Sequence, residues 1–320
     1  MRQAGRYLPE YRKLREGRTM IETVTNPELA TEITLQPIRR FGFDAAVLFS
    51  DLTMPFIPMG APFEIKEGVG PVLEDPIRTP EQIARLRLID PEDDLPYTFE
   101  TIRNLKRELK VPLIGFTGAP FTLACYLIEG GPSKDYRRTR ALMHSDPESW
   151  HELIETVSEN VLRYARAQIE AGADAVQLFD SWVGVLSEPS YREFLLPHVK
   201  KIFEGLSETG APAIHFGTGN PHLLKAMAEA GGDVIGVDWR ISLTEAAQKI
   251  GKPVPLQGNL DPTAMFGSEE DLRRKVSEIV EEGKSLPGHI FNFGHGIFPD
   301  TPIDQVRVLV EAVQGATANV

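Results

Sequence analysis

The chain has 320 residues, with 34 basic against 46 acidic side chains for a formal charge of −12, and it is 42% apolar and 25% charged. That composition excludes a disordered chain, and the acidic balance argues against nucleic acid as the main partner, because phosphate binding calls for clustered Lys and Arg. No apolar run approaches the roughly 18 residues of a membrane helix. The residues after Met1 are charged, so no signal peptide is expected, and the lone cysteine, Cys125, excludes an internal disulfide or a two-thiolate zinc site and fits a reducing cytoplasm.

The charge is uneven. Residues 1–18 hold Arg2, Arg6, Arg12, Lys13, Arg15 and Arg18 against Glu10 and Glu16, a local excess of +4 in an otherwise acidic chain. A solvated terminal arm is one reading; an anion-binding segment is another. An Arg-rich transit peptide is disfavoured, because Gly5, Pro9 and the two glutamates interrupt the amphipathic helix it needs.

Short apolar segments then alternate with helical patterns. Strands are expected at 45–49, 113–116, 175–179, 213–216, 234–237, 254–257 and 290–293, apolar enough for parallel strands covered on both faces. The irregular stretch 53–80 is rich in Pro and Gly, with a small hairpin expected from 63–65 and 71–73. Asp146-Pro147 reads as an N-cap followed by a first-turn proline. The stripe Trp150, Leu153, Ile154, Val157, Val161, Ala165 and Ile169 continues that helix to a C′ glycine at Gly172. Ser242 with Glu245, and Ser268 with Asp271, are capping-box-like starts, and Asp300-Thr-Pro302 opens the last helix. No repeat or linker divides residues 1–320, so a single domain is expected.

Alternating strands and helices mean a parallel sheet, either doubly wound or closed as a (β/α)8 TIM barrel. Polar residues follow nearly every strand: Asp51, Thr117, Ser181, Asp238, Asn259 and His295. A ring of loops around one mouth would use them all, whereas an open sheet would concentrate them at one crevice. No glycine-rich dinucleotide turn follows the first strand, and Gly217-Thr-Gly219 reads as a tight turn. The expectation is therefore an α/β (β/α)8 barrel. Seven strands are counted, so the first of the eight is expected to lie before Met1.

Several side chains could carry chemistry. Asp51 ends an apolar strand, where a carboxylate must find donors or bind a cation; a helix N-cap role is disfavoured by Met54-Pro55 and Pro58. His295 is flanked by Gly294 and Gly296, which would let the backbone bring the imidazole close to a ligand. His215 either faces the mouth or is a satisfied core histidine. His144, His151, His198 and His222 read as surface or structural. Ser181 lacks a nucleophile elbow, so a hydrogen-bonding role is favoured. A metal site from Asp51, His215 and His295 is conceivable, but no ligand spacing points to one.

Two long segments are more specific. Met1-Arg-Gln-Ala-Gly-Arg-Tyr-Leu-Pro-Glu-Tyr-Arg12 and Gly115-Phe-Thr-Gly-Ala-Pro-Phe-Thr-Leu-Ala-Cys-Tyr-Leu-Ile-Glu-Gly130 resemble the two signatures of the uroporphyrinogen decarboxylase family. Phe49-Ser-Asp51, Leu178-Phe-Asp-Ser181, Leu256-Gln-Gly-Asn-Leu-Asp-Pro262 and Asn292-Phe-Gly-His-Gly296 match in family order, so the likeness covers essentially the whole chain. The resemblance implies a cytoplasmic, homodimeric TIM-barrel lyase that needs no cofactor or metal. Such an enzyme decarboxylates the four acetates of uroporphyrinogen III to give coproporphyrinogen III in haem biosynthesis. It also implies a Pro-x-Trp strand just before the first signature.

Residue by residue, the resemblance assigns Arg2, Gln3, Ala4, Gly5 and Arg6 to the substrate. The two arginines meet its carboxylates, with Arg2 the favoured proton donor. Asp51 becomes the central carboxylate facing the pyrrole N–H groups, and Tyr126, Ser181 and His295 become polar contacts. Phe116 and Phe179 become apolar wall. Zinc-dependent methyltransferases on a related barrel are the rival reading, weakened because Cys125 is the sole thiol; a non-catalytic tetrapyrrole binder is a second.

Overall fold

The computed structural model describes residues 3–66 and 68–317. Nine strands form in chain order: β1 (Ala46–Val47), β2 (Phe63–Lys66), β3 (Gly70–Leu73), β4 (Leu113–Gly118), β5 (Ala175–Asp180), β6 (Ala213–Gly217), β7 (Val234–Gly236), β8 (Leu256–Gln257) and β9 (His289–Ile290). The strands β2 and β3 are the expected hairpin, antiparallel with Phe63 opposite Leu73. The other seven make one sheet in the order β1-β4-β5-β6-β7-β8-β9, every neighbour parallel. Strands hydrogen-bonded strictly in chain order leave no reversal point, the feature that separates a barrel from a doubly wound sheet.

The sheet is curled. Gln257 Nε2 on β8 donates to Gln177 Oε1 on β5 at 3.2 Å, although β6 and β7 lie between them. In a flat sheet, at about 4.8 Å per strand, those backbones would stand roughly 14 Å apart with parallel side chains. Outside the sheet, the last helix (Ile303–Thr317) packs against the early helix Pro27–Phe41, and Gln314 Nε2 donates to the Gly42 carbonyl at 3.1 Å. The two edges are thus brought toward each other, giving a TIM-barrel arrangement with helices around it.

The elements form for the expected local reasons. Asp146 caps helix Pro147–Glu170 by accepting the Ser149 N–H at 3.1 Å. Trp150, Leu153, Ile154, Val157, Val161 and Ala165 bury its inner stripe, and Gly172 follows with φ 121°. Ser242 and Glu245 form a complete capping box. One expectation fails: Phe56–Met59 is a short helix despite Pro58. The first turn of a helix has no intrahelical use for its N–H groups, so a proline there removes nothing.

The basic arm is not merely solvated. Ala4, Tyr7, Leu8 and Tyr11 are buried; the Tyr7 ring stacks on Phe41 and the Tyr11 ring meets Phe49 edge-on. Gln3 ties the arm to the sheet. On one side, β1 bonds to β4, with the Ala46 and Leu48 N–H groups donating to Pro112 and Ile114. On its other side the Gln3 amide donates to the Ala45 carbonyl at 2.7 Å and accepts the Val47 N–H at 2.8 Å. One side chain thus serves two edge groups that would otherwise lack a protein partner. Gln3→Ala should lower stability by about 1–3 kcal/mol through the orphaned pair, read as a lower urea midpoint; an unchanged midpoint would mean that water replaces the amide at no cost.

Candidate active site

The end of β1 is held from behind. The Phe49 N–H donates to Thr34 Oγ1 at 3.0 Å on helix Pro27–Phe41, which fixes where the next residues emerge. Asp51 follows, half-buried. Its Oδ1 accepts the Thr53 N–H at 3.0 Å and the Thr53 hydroxyl at 2.6 Å. The carboxylate is therefore clamped through one oxygen. Among the described residues no hydrogen bond to Oδ2 is found, so that oxygen can receive a ligand's N–H.

The next three barrel strands carry an aromatic row. The Phe116 ring on β4 meets Phe179 on β5 edge-on, with centroids 5.5 Å apart, and Phe179 meets Phe216 on β6 at 5.8 Å. Gly236 on β7 makes room for it: a Cβ there would lie 2.6 Å from the Phe216 ring, so only glycine fits beside this wall.

Two helices, Pro120–Glu129 and Arg137–Ser145, intervene between β4 and the long helix Pro147–Glu170 that packs back on β4. They lie beyond the carboxyl ends of the strands and crown the mouth, tied to the hairpin by the Leu73 N–H donating to the Gly130 carbonyl at 2.9 Å. Tyr126 projects from the first of them. Its ring lies 4.3 Å from Trp182, which stacks on Tyr136 at 4.8 Å. Ser181 is half-buried just before Trp182, and its carbonyl accepts the Thr218 hydroxyl. Close packing of this loop needs Gly184, where a Cβ would sit 2.4 Å from two carbonyl oxygens of Thr218 and Gly219.

Beneath that loop lies a group the sequence reading passed over. Asp180 is fully buried. Its Oδ1 accepts the Thr122 hydroxyl at 2.8 Å, and Thr122 Oγ1 in turn accepts the Trp182 N–H at 3.3 Å, while Oδ2 has no partner. Burial pushes its carboxyl up to about 7, against the smaller opposing pull of the Thr122 bonds.

At the far side of the mouth, Asp238 is buried and saturated. It accepts from the N–H groups of Gly219 and Arg240 and from the Arg240 guanidinium, at 2.5–2.9 Å. The half-exposed Arg240 also lies 4.0 Å over the Trp239 ring. His295 is exposed with its ring 6.0 Å from Trp239, and Gly294 presses on the Trp239 backbone, 2.3 Å from any Cβ placed there. The Asp-Trp-Arg run after β7 was the available signal for this cluster, of which only Asp238 was singled out.

Of the residues expected at the site, Phe116 and Phe179 are in contact, Tyr126 and Ser181 flank Trp182, and Asp51 and His295 end strands at opposite edges of the curled sheet. Arg6 is exposed, and its carbonyl accepts from Arg12 at 2.8 Å. Ala4 and Gly5 are buried in the arm, the Gln3 amide is committed to β1, and Arg2 lies outside the described residues. His215 resolves as a core histidine. Its ring packs on Phe203 and its Nδ1 faces the Met227 and Gly231 carbonyls, with burial pushing the imidazole down to about 4. It therefore does not join Asp51 and His295, and among the described residues no three His, Cys, Asp or Glu side chains gather as metal ligands. Cys125 is buried, and burial pushes its thiol up, away from the thiolate form.

Comparison with known proteins agrees along the full length. The family model described as uroporphyrinogen decarboxylase (URO-D) matches residues 1–316. A uroporphyrinogen decarboxylase from Carboxydothermus hydrogenoformans is 52% identical over 315 residues, 98% of this chain and 90% of that protein. One from Thermus thermophilus is 50% identical over 318 residues, covering 99% of this chain and 93% of that one. Among solved structures, a methyltransferase from Methanosarcina mazei superposes with a TM-score of 0.76 at 23% identity, over 95% of this chain and 90% of its own, a likeness of fold. Among the described residues no helix is long and apolar enough to cross a membrane.

Asp180 gives a pH test. Its folded-state value lies above the unfolded one, so the native state holds more protons between about pH 4 and about pH 7. Wild-type stability should therefore fall as pH rises through that window, by at most roughly 1.4 kcal/mol per pH unit from this group. Asp180→Asn, which keeps the Thr122 acceptor and cannot ionise, should gain on wild type from pH 5 to pH 8 in urea midpoints. Parallel curves would remove Asp180 as the titrating group.

Proposed function

The chain belongs to the uroporphyrinogen decarboxylase family and is a carboxy-lyase of tetrapyrrole biosynthesis, and we propose that it works without a cofactor around Asp51, on uroporphyrinogen III, in the cytoplasm and as a homodimer. The observation that carries the site is the clamped Asp51 carboxylate at the mouth end of β1, with one oxygen fixed by Thr53. Residues 1–320 act as one barrel domain in this reading.

Each turnover exchanges CO2 for a proton. Protonation of the pyrrole ring gives an iminium cation; the bond between the acetate methylene and its carboxyl then breaks, and the electron pair flows into the ring as CO2 leaves. A proton added to the exocyclic methylene makes the methyl group, and the ring loses the proton that it gained. The developing cation needs a fixed negative charge more than a metal, and Asp51, preorganised by Thr53, suits the ring N–H groups. Phe116 and Phe179 form apolar wall for the macrocycle, while Tyr126, Ser181 and His295 contact its carboxylates, with Gln3, Ala4 and Gly5 lining the arm. Arg2 and Arg6 bind carboxylates through the guanidinium fork. Arg2 also donates the proton, either directly or through a water that it holds, since a free guanidinium is a poor acid. The exposed pair Phe266 and Phe298, 48% and 42% accessible with rings 6.0 Å apart, supports a homodimer by offering apolar area to a second copy.

Asp51→Asn keeps the shape and removes the charge. It should fold normally, bind substrate nearly as well and lose about 10²–10³ in turnover of uroporphyrinogen to coproporphyrinogen, the usual loss for one preorganised electrostatic contact. A well-folded variant within a few-fold of wild type would leave Asp51 as the cap of its own turn. Arg6→Lys should raise KM although the charge is kept, since an ammonium cannot form the bidentate fork; unchanged kinetics would return Arg6 to solvent.

A further inference from the structure

We propose that the crown segment at residues 134–140 is a second carboxylate-binding element, which holds rim carboxylates of the tetrapyrrole opposite the basic arm; this rests on the substrate reading above. Lys134, Arg137, Arg138 and Arg140 are all exposed, and among the described residues none of them has an ion-pair partner. Elsewhere on this acidic protein arginines are commonly paired with carboxylates, as Arg39, Arg103, Arg192 and Arg274 are. The nearest acids do not cancel the cluster: Glu129 accepts the Thr139 N–H and hydroxyl at 3.0 Å each, and Asp135 is a single charge against four.

Position makes the cluster part of the site. Tyr126, assigned above to a substrate carboxylate, packs at a tilt against Trp182, and Trp182 stacks on the buried Tyr136, which sits between Lys134 and Arg137. The ladder of three rings fixes the cationic segment to the wall of the mouth. Tyr136 is held in a left-handed conformation, φ 49° and ψ 44°, with its N–H on Ser133 Oγ at 3.0 Å. That turn starts the helix Arg137–Ser145, with Thr139 and Met143 buried and the three arginines outside. A substrate with eight carboxylates cannot be matched by Arg2 and Arg6 alone, and the segment supplies four more exposed cations on either side of Tyr136 in the chain. Because acetates are lost and propionates kept, such a rim should favour the octacarboxylate over the tetracarboxylate product.

The test uses the full chain and two air-stable porphyrins, the octacarboxylate uroporphyrin I and the tetracarboxylate coproporphyrin I, titrated against tryptophan fluorescence over a series of salt concentrations. For the triple variant R137Q/R138Q/R140Q, uroporphyrin binding should weaken about tenfold at low salt, as expected of three exposed charge contacts. The salt dependence should flatten, and coproporphyrin binding should weaken less. Lys134→Gln, outside the helix, should move both readouts the same way by a smaller factor. With uroporphyrinogen as substrate, the triple variant's loss should fall mainly on KM. Wild-type affinity and salt dependence in both variants, with circular dichroism showing an intact fold, would overturn the proposal while leaving wild-type turnover untouched. Absence of CO2 release by the wild-type chain, with the salt-dependent loss of uroporphyrin binding still present, would instead refute the decarboxylase reading and keep the binding element.

Discussion

Everything at the mouth depends on one ladder of backbone hydrogen bonds that joins seven parallel strands in chain order. Parallel strands need cover on both faces, so each must be followed by a helix returning outside the sheet, and the return leaves every carboxyl end on the same side. Asp51, the phenylalanine row, Ser181, Asp238 and His295 come to the same end of the sheet for that reason, although they are spread over most of the sequence. Curling brings side chains of β5 and β8 into contact inside the sheet. One departure from the simple strand-then-helix rhythm lies between β4 and its return helix, where two extra helices crown the mouth. Those helices carry Tyr126, Thr122 and Tyr136, and so set the aromatic wall.

Charge is segregated in the same way. Over most of the surface acids and bases neutralise one another in exposed pairs, each worth little to stability. Among the described residues, Arg6, Arg12, Lys13, Arg15 and Arg18 of the arm and Lys134, Arg137, Arg138 and Arg140 of the crown lack such partners, and both segments are fastened by apolar packing, to which the arm adds the Arg40–Glu10 ion pair. The arm is held by Tyr7, Leu8 and Tyr11 and the crown by Tyr136 on Trp182. Buried rings set the positions of both segments. Arg240 shows the contrasting design: its guanidinium is committed to a buried carboxylate and an aromatic face of its own loop.

The elements that periodicity governs were legible in the sequence. Six of the seven barrel strands, the hairpin, and the long helix with its Asp146 cap and Gly172 stop follow from local patterning and overlap their expected places, while the last strand, expected at 290–293, pairs at His289–Ile290. Strand parity was also available for His215. Phe216 joins the inner aromatic row, so its neighbour must point outward to the helices, where the imidazole is found on Phe203. The short helix Phe56–Met59 was hidden by Pro58, whose cost disappears in a first turn. Gln3 could not be read as the partner of β1, because its two bonds join residues more than forty positions apart. Nor could the contact of Trp182 with Tyr126 and Tyr136, which depends on how the crown helices lie over β5.

Asp180 explains why that wall can be both rigid and polar. Parity turns Phe179 inward and Asp180 outward, under the helix Pro120–Glu129, where a charged carboxylate would have only one side-chain donor. Charge there is costly, and the group holds its proton to about pH 7. The neutral acid still accepts from Thr122, and Thr122 still accepts the Trp182 N–H, so below about pH 7 the brace under Ser181 and Trp182 is kept without a buried charge. Asp51 is the opposite case. It is half-exposed at the mouth, with two donors on one oxygen. The two aspartates thus differ by environment: one presents a carboxylate clamped through a single oxygen at the mouth, and the other, fully buried, braces the loop that carries Ser181 and Trp182.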